Sequence, residues 1–94
     1  MPRRFINQLG HQEAIHEFFL ASDKQLRPNR NGNLYLQVEL RDRTGALPTR
    51  VWNATESLYN SFENGDFVLV EGTTQLYQGA LQLIASQITQ VPGD

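Results

Sequence analysis

The chain has 94 residues, of which 39% are hydrophobic, and this suffices for one folded domain with a single core but not for two. It contains no cysteine, which excludes a disulfide framework and a thiolate metal site and predicts a cytoplasmic protein. The formal net charge is −2 and no apolar run approaches the roughly 20 residues of a membrane span, so composition indicates neither a membrane nor a polyanionic partner.

The distribution of charge is more informative than its total. Residues 1–50 hold all eight basic residues and five acidic ones, a balance of +3, whereas residues 51–94 hold five acidic residues and no basic one. Such a chain presents a basic stripe to a partner, or its arginines merely keep one face solvated. Charge alone leaves both interpretations open.

The first part of the chain is predicted to be a lead-in segment, residues 1–16, followed by a strand. His11 and His16 lie five residues apart with no third ligand candidate nearby, which disfavours a metal site. Strand one is predicted over Glu17–Leu26, and apolar residues on both of its faces indicate that it bends across the core. The next segment, Arg27–Asn33, contains an Asn-Gly turn dipeptide and is predicted to be a loop.

The clearest pattern in the sequence is a hairpin. Leu34–Arg41 and Leu47–Trp52 each alternate apolar and polar residues with period two, which predicts two strands with one buried and one solvated face. Asp42–Gly45 has the residue types of a tight turn. The outer face of this hairpin is predicted to carry aromatic, cationic and amide side chains: Tyr35, Gln37, Arg41, Arg50 and Trp52.

The second half of the chain is predicted to contain one short helix and two strands. The helix is predicted over Asn53–Phe62, with Asn53 or Thr55 as its N-cap. Strand four is predicted over Phe67–Val70, and a turn over Gln75–Gly79. Strand five is predicted over Leu81–Val91, with a break near Ala85-Ser86, and residues 92–94 are a linker or cut end.

The element order is β-β-β-α-β-β, without the βαβ repetition of a parallel sheet. Five strands with one short helix between strands three and four predict a single all-β domain over residues 1–94, a Greek-key barrel of the OB-fold type. Such barrels bind oligonucleotides or oligosaccharides across strands two and three and the flanking loops between strands one and two and between four and five. The exposed aromatic and basic residues fall in these three places, which predicts a single-stranded nucleic-acid site.

Single-strand binding combines cations along the phosphates with aromatic rings under the bases. The predicted stacking residues are Trp52, Tyr35 and Tyr77. The predicted phosphate contacts are Lys24, Arg27, Arg30, Arg41, Arg43 and Arg50. The predicted amide contacts are Asn31, Asn53 and Gln37.

Each of these assignments has a structural alternative. A one-residue slip of strand three would bury Trp52 in the core. Tyr35 could merely cover the sheet, and Tyr77 could pack beneath its own loop. Asn53 serves equally well as a helix cap, and the two arginines beside the predicted turn could be simply solvated: Arg41 and Arg43.

The sequence contains no catalytic constellation. There is no Gly-rich phosphate loop and no GxSxG elbow, and neither histidine adjoins an Asp. We therefore expect that this chain alone is not an enzyme and needs no cofactor.

Four stretches resemble the N-terminal OB domain of YhaM-type bacterial 3′→5′ exoribonucleases: Phe19–Arg27, Asn31–Leu36, Leu40–Gly45 and Val51–Ala54. Gly65-Asp66 and Gln75–Gly79 fit the same pattern, so the resemblance covers most of residues 17–91. It implies a substrate-capture module for single-stranded RNA rather than DNA. In that family an HD-type phosphohydrolase domain follows in cis and binds divalent metal through its His-Asp ligands, and such a domain is missing from these 94 residues.

The stretch Leu36–Asn53 is also similar to the DNA-binding OB modules of replication protein A. There an aromatic residue that precedes an Asn stacks on a base, which implies stacking by Trp52 and lends weight to a contact by Asn53. Two alternatives remain: a protein-interaction or oligomerisation module anchored by Trp52 and Tyr35, and an oligosaccharide-binding barrel.

Overall fold

The structure, a computed structural model, describes residues 5–91 and contains a short 3-10 helix (Ile6–Gln8), five strands and one α-helix. The predicted end segment, residues 92–94, and the first four residues of the lead-in lie outside the described residues. The helix α1 (Glu56–Tyr59) lies between strands three and four, as predicted. The strands in chain order are β1 (Ala14–Pro28), β2 (Leu34–Asp42), β3 (Gly45–Trp52), β4 (Phe67–Tyr77) and β5 (Ala80–Gln90).

The five strands close into a barrel in the order β1-β2-β3-β5-β4. Neighbouring strands are antiparallel except β3 and β5, which pair in parallel. The strand β1 closes the barrel because its first half pairs with β4 and its second half with β2, and Leu20 pairs with both Phe67 and Arg41. The predicted all-β barrel with one short helix is confirmed.

The first strand begins earlier and ends later than predicted, because its two ends have different partner strands. Ala14–His16, predicted as lead-in, pairs with β4, and Pro28, predicted as loop, pairs with Leu34. The register with β2 shifts between Ser22 and Gln25, where Asp23 has a φ of 51°. A β-bulge of this kind bends a strand and re-aims its side chains, so the predicted bend is confirmed.

The core is formed by alternate residues of the barrel strands. In the β2–β3 hairpin the inward side chains are Leu36, Val38, Leu40, Leu47, Thr49 and Val51. The buried Thr49 hydroxyl donates a hydrogen bond to the Leu47 carbonyl oxygen at 3.0 Å, which satisfies the one polar group in this set. Because successive side chains of a strand point to opposite faces, this register turns Arg50 and Trp52 outward.

The helix is shorter than the predicted Asn53–Phe62 at both ends. Asn53 has a φ of 55°, so the chain is still turning out of β3 at this residue. Thr55 is the N-cap, and its hydroxyl oxygen accepts a hydrogen bond from the Leu58 amide at 3.1 Å. At the other end Phe62 is buried in the core, which draws the chain away from the helix axis. Within residues 5–91 no helix is long and apolar enough to cross a bilayer.

The β4–β5 hairpin is longer than predicted and has a tighter turn. Gln75–Tyr77, predicted as part of a turn, pairs with Ala80–Gln82 in the sheet. Only Gln78 and Gly79 connect the strands, with φ values of 53° and 80°, which is typical of a two-residue type I′ turn. The predicted break near Ala85-Ser86 is a β-bulge and not an interruption, since β5 is continuous and the β4–β5 register shifts between Glu71 and Gly72, opposite these residues.

The turn between β2 and β3 is fixed by the Asp42 carboxylate. Its Oδ1 accepts hydrogen bonds from the Thr44 amide (2.7 Å) and hydroxyl (2.6 Å), and its Oδ2 accepts one from the Ile6 amide (2.7 Å). Burial by itself would raise the pKa of Asp42, but these hydrogen bonds to the charged form outweigh it, and the pKa lies below its usual value. Asp42 therefore ties the N-terminal segment to the hairpin most strongly when it is ionised.

This arrangement predicts a loss of stability in acid. A group whose pKa is lowered in the folded state stabilises the fold at pH values above its unfolded pKa, which is about 3.9 for Asp. This contribution is lost as the pH falls through the folded pKa. In urea denaturation, Asp42→Asn should lower the midpoint at neutral pH, and the difference from wild type should shrink as both proteins are acidified. An equal difference at neutral pH and below the folded pKa would show that ionised Asp42 is not responsible.

Candidate nucleic-acid interface

Three cross-strand pairs follow one another on the outer face of the β2–β3 hairpin. From the β1–β2 loop towards the turn they are Tyr35 with Trp52, Gln37 with Arg50, and Glu39 with Pro48. Each pair places two side chains next to each other on the barrel surface. The outer face therefore presents aromatic, amide and cationic groups in the order predicted from the sequence.

The first pair forms a partly exposed aromatic surface, in which Tyr35 is half-buried. The ring centroids of Tyr35 and Trp52 are 5.3 Å apart with an interplanar angle of 47°, and Trp52 is 44% exposed. The Arg50 guanidinium carbon lies 5.7 Å from the Tyr35 centroid and 5.8 Å from the Trp52 centroid. We call Tyr35, Trp52 and Arg50 the aromatic platform. Cation–π attraction to both rings holds the charge of Arg50 beside surfaces on which a base can stack.

A second cation reaches the platform from β1. Arg27 pairs with Tyr35 in the sheet, and its Nε donates a hydrogen bond to the Gln25 Oε1 at 2.9 Å. Gln25 is two residues away on the same face and pairs with Gln37. This amide holds the guanidinium of Arg27 beside the platform. Gln25 is a site residue that the sequence analysis missed, although its i, i+2 spacing from Arg27 in a strand could have indicated it.

The β1–β2 loop presents the next cation and an amide. The Asn29 Oδ1 accepts hydrogen bonds from the backbone amides of Asn31 (2.9 Å) and Asn33 (3.0 Å), and this folds the loop over its own side chain. Arg30 and Asn31 are exposed on the folded loop. The loop is thus held in shape before any ligand arrives, and two predicted contact residues extend from it.

The β4–β5 hairpin adds a third aromatic side chain. Tyr77 is 58% exposed, so it does not pack beneath its own turn. It shares a strand face with Gln75 and Thr73, and Thr73 pairs with Ile84, which in turn pairs with Arg50. Since paired residues lie on the same face of a sheet, Tyr77 belongs to the same outer surface as the aromatic platform.

The family follows from comparison with known proteins. A sequence profile described as "OB-fold nucleic acid binding domain" matches residues 21–91. The chain belongs to this family. No curated protein gave a significant match.

Solved structures confirm the OB fold. The second OB-fold domain of replication protein A from Methanococcus maripaludis is 18% identical, with a TM-score of 0.70 over 99% of this chain and 98% of that chain. The mitochondrial single-stranded DNA binding protein Rim1 from S. cerevisiae is 20% identical, with a TM-score of 0.66 over 88% of this chain and 99% of that chain. The p204 HINb domain structure has 14% identity and a TM-score of 0.74 over 96% of this chain and 47% of that chain.

One predicted phosphate contact has another role in this OB-fold domain. The Lys24 side chain is only 7% exposed, and its Nζ donates hydrogen bonds to the carbonyl oxygens of Tyr59 and Phe62 and to Glu63 Oε2, the last at 3.1 Å. It also lies 4.1 Å from the Tyr59 ring centroid. The assignment of Lys24 to phosphate is corrected: its ammonium is occupied in fastening the C-terminal end of α1 to β1.

Two further predicted phosphate contacts lie away from the aromatic platform. Arg41 is six residues from Tyr35 along β2, about 20 Å at the usual rise per residue, and donates to Glu39 Oε2 at 2.9 Å. Arg43, in the β2–β3 turn, lies 4.5 Å from the Phe5 ring centroid. Both arginines line a separate cavity of about 400 Å³ with Phe5 and Phe67, so the structure does not bring them together with the platform cations.

The remaining predicted amide contacts differ in their surroundings. Gln37 lies on the outer face between Gln25 and Arg50. Asn53 is exposed directly after Trp52 and does not cap the helix, because that role belongs to Thr55. Its left-handed backbone suits an Asn, which tolerates this conformation better than most residues. Within residues 5–91 no group of three or more His, Asp or Glu side chains is arranged to hold a metal ion.

Proposed function

We propose that this OB-fold domain binds single-stranded nucleic acid across the outer face of β2 and β3. Bases stack on Trp52 and Tyr35, and the phosphate backbone follows Arg27, Arg30 and Arg50. The observation that carries the proposal is the aromatic platform, in which the exposed Trp52 ring and the half-buried Tyr35 ring lie 5.3 Å apart with a guanidinium beside both. Binding of a single strand requires aromatic rings on which bases can stack, next to cations that contact the phosphates.

We further propose that the natural ligand is RNA and that the domain captures substrate for a 3′→5′ exoribonuclease domain in cis. The support is the resemblance of Phe19–Arg27 and Val51–Ala54 to the N-terminal OB domain of YhaM-type enzymes. A second support is the supply of amides on the face, since Gln37 and Asn31 can donate to and accept from a ribose 2′-hydroxyl. The phosphodiester chemistry and its divalent metal would belong to that other domain.

Fluorescence titration tests the proposal directly, because Trp52 is the only tryptophan of the chain. Oligonucleotides of about ten nucleotides, within the roughly 4–16-nucleotide range of OB sites, should quench its emission. If Arg27, Arg30 and Arg50 each neutralise one phosphate, the slope of log K against log salt should be about −2. Replacing Arg30 with alanine should reduce that slope by about 0.7.

Ribo- and deoxyribo-oligonucleotides of the same sequence distinguish single-strand binding in general from a preference for RNA. Tighter binding of the ribo-oligonucleotide supports RNA as the ligand, and equal binding rejects the RNA preference alone. No quenching at protein concentrations of tens of micromolar, with either ligand, would reject single-strand binding.

A protein-interaction module is the alternative function, and one observation favours it. Phe67 and Leu76 are 61% and 51% exposed, and neither belongs to the aromatic platform. Phe67 borders the apolar cavity that Phe5 and Leu20 also line, and a contiguous exposed apolar surface is typical of contact sites. Concentration-dependent self-association without oligonucleotide binding would support this alternative.

A further inference from the structure

A polar pocket adjoins the aromatic platform on the same face. It has a volume of about 180 Å³ and is lined by Asp23, Gln37, Val38, Glu39 and Pro48. The Glu39–Pro48 pair lies two pairs beyond Tyr35–Trp52, with Gln37–Arg50 between them. At the usual rise of a strand each pair is about 6.6 Å from the next. A nucleic-acid strand that stacks one base on the platform thus has this pocket within reach of a neighbouring base.

The bulge in β1 explains why the pocket exists. The register of β1 against β2 shifts between Ser22 and Gln25, and Asp23 takes up a left-handed conformation there. This brings the Asp23 carboxylate to the outer surface beside Gln37 and Glu39. A regular strand would not place an acidic side chain there, because bulges re-aim side chains.

The pocket offers hydrogen-bond acceptors beside one apolar side chain, Pro48. Asp23 and Glu39 only accept when ionised, and Gln37 both donates and accepts. Glu39 Oε2 already accepts from Arg41 at 2.9 Å, and Asp23 Oδ1 accepts from the Gln25 amide at 3.3 Å. Among residues 5–91 no donor lies on Glu39 Oε1, so this oxygen remains available to a ligand. Pro48 forms the apolar part of the lining, and Val38, whose side chain is buried in the core, borders the pocket only through its backbone.

This chemistry selects bases by their amino groups. Two carboxylates repel phosphate, so the part of a strand that fits is a base. Carboxylates accept well from an exocyclic amino group, as Asp and Glu do from cytosine N4. Uracil and thymine present a carbonyl oxygen at the same ring position and have a single N3–H donor beside it, so one of the two carboxylates is left facing an acceptor.

We propose that this pocket determines base specificity and favours cytosine over uracil and thymine. Glu39 and Asp23 accept hydrogen bonds from the amino group, and the ring lies against Pro48. The inference rests on the proposed function, since the pocket acts only on a strand held by the aromatic platform. It makes Glu39 and Asp23, two acidic residues of a nucleic-acid face, determinants of sequence preference.

The test compares oligodeoxycytidine with oligodeoxyuridine of about ten nucleotides, a length within the range of OB sites. Both are pyrimidines that differ in the groups at C4 and N3, so stacking and charge are matched. We expect oligodeoxycytidine to bind about tenfold tighter, the effect of one good base contact. Glu39→Gln should bring the two affinities close together, because an amide accepts from an amino group and also donates to a carbonyl oxygen.

Two further variants complete the test. Asp23→Asn should reduce the preference in the same way, and asparagine tolerates the left-handed backbone at this position. Glu56→Gln removes the same charge from the exposed first turn of α1 and should leave the preference unchanged.

Three results would each overturn a different claim: the specificity, its source in the pocket, or the proposed function. Equal binding of both oligonucleotides by the wild type rejects the specificity and leaves the proposed function standing. A cytosine preference that survives both Glu39→Gln and Asp23→Asn rejects the pocket as its source. If neither oligonucleotide binds, the proposed function itself is rejected.

Discussion

Replacing Trp52 with alanine should weaken single-strand binding roughly tenfold to a hundredfold, the largest effect of any single substitution on the face. A base stacked on an aromatic side chain contributes about 1–3 kcal/mol, and each 1.4 kcal/mol is a factor of ten in affinity. Trp52 is also in contact with Tyr35 and Arg50, so its removal leaves the other two members of the aromatic platform less ordered. Because the variant lacks tryptophan, binding is measured by fluorescence anisotropy of a labelled oligonucleotide.

The control for Trp52→Ala is Phe67→Ala, which removes an exposed aromatic side chain from β4 at a position that pairs with Leu20. This variant should bind oligonucleotides like the wild type. A Tyr35→Ala variant combined with Trp52→Ala should lose less affinity than the sum of the single losses, because the two rings act as one surface. If the Trp52→Ala variant has unchanged circular dichroism and binds oligonucleotides with wild-type affinity, the aromatic platform is not part of the binding site.

Lys24→Met is expected to be the most destabilising single substitution outside the apolar core, at about 2–3 kcal/mol. The variant keeps the apolar stem but leaves the carbonyl oxygens of Tyr59 and Phe62 without their charged donor, and each buried unsatisfied group costs about 1–3 kcal/mol. For a domain of this size we expect a fall in Tm of roughly 4–8 °C per kcal/mol. Urea and thermal denaturation followed by circular dichroism measure both quantities.

Glu63→Gln separates the two kinds of contact made by Lys24. Although Lys24 is buried, Glu63 is 76% exposed and its carboxylate stays solvated, so its loss should cost no more than about 1 kcal/mol. Lys24→Met should also leave oligonucleotide affinity close to wild type at temperatures where it is folded. If the folded Lys24→Met variant instead shows a smaller slope of log K against log salt, Lys24 does contact phosphate.

The parts of the fold that follow from local pattern could be predicted from the sequence. Alternation with period two gave the β2–β3 hairpin and its register, because one face of that hairpin is buried along its whole length. The turn chemistry of Asp42–Gly45 gave the position of the turn. From these followed the outward positions of Tyr35, Arg50 and Trp52, the central part of the candidate site.

The features that could not be predicted depend on contacts distant in sequence. The pattern around Lys24 does not show its partners, which lie 35 and 38 residues further along the chain, so the sequence favours a phosphate contact. The predicted helix is too long because its local pattern does not show that Phe62 enters the core. The pocket beside Pro48 depends on a bulge that leaves no periodic pattern, so the sequence does not show that Asp23 lies beside Glu39.

The parallel pairing of β3 with β5 has a consequence for the motions of the barrel. The two strands are joined through only two residue pairs, Thr49 with Leu83 and Arg50 with Ile84, whereas β2–β3 and β4–β5 are paired along most of their length. Local opening is easiest where few backbone hydrogen bonds must break. The β3–β5 pairing at Arg50 is therefore the part of the barrel that opens most easily. A nucleic-acid strand that contacts both Trp52 and Tyr77 would span this pairing. Ligand binding would then also protect the barrel against local unfolding.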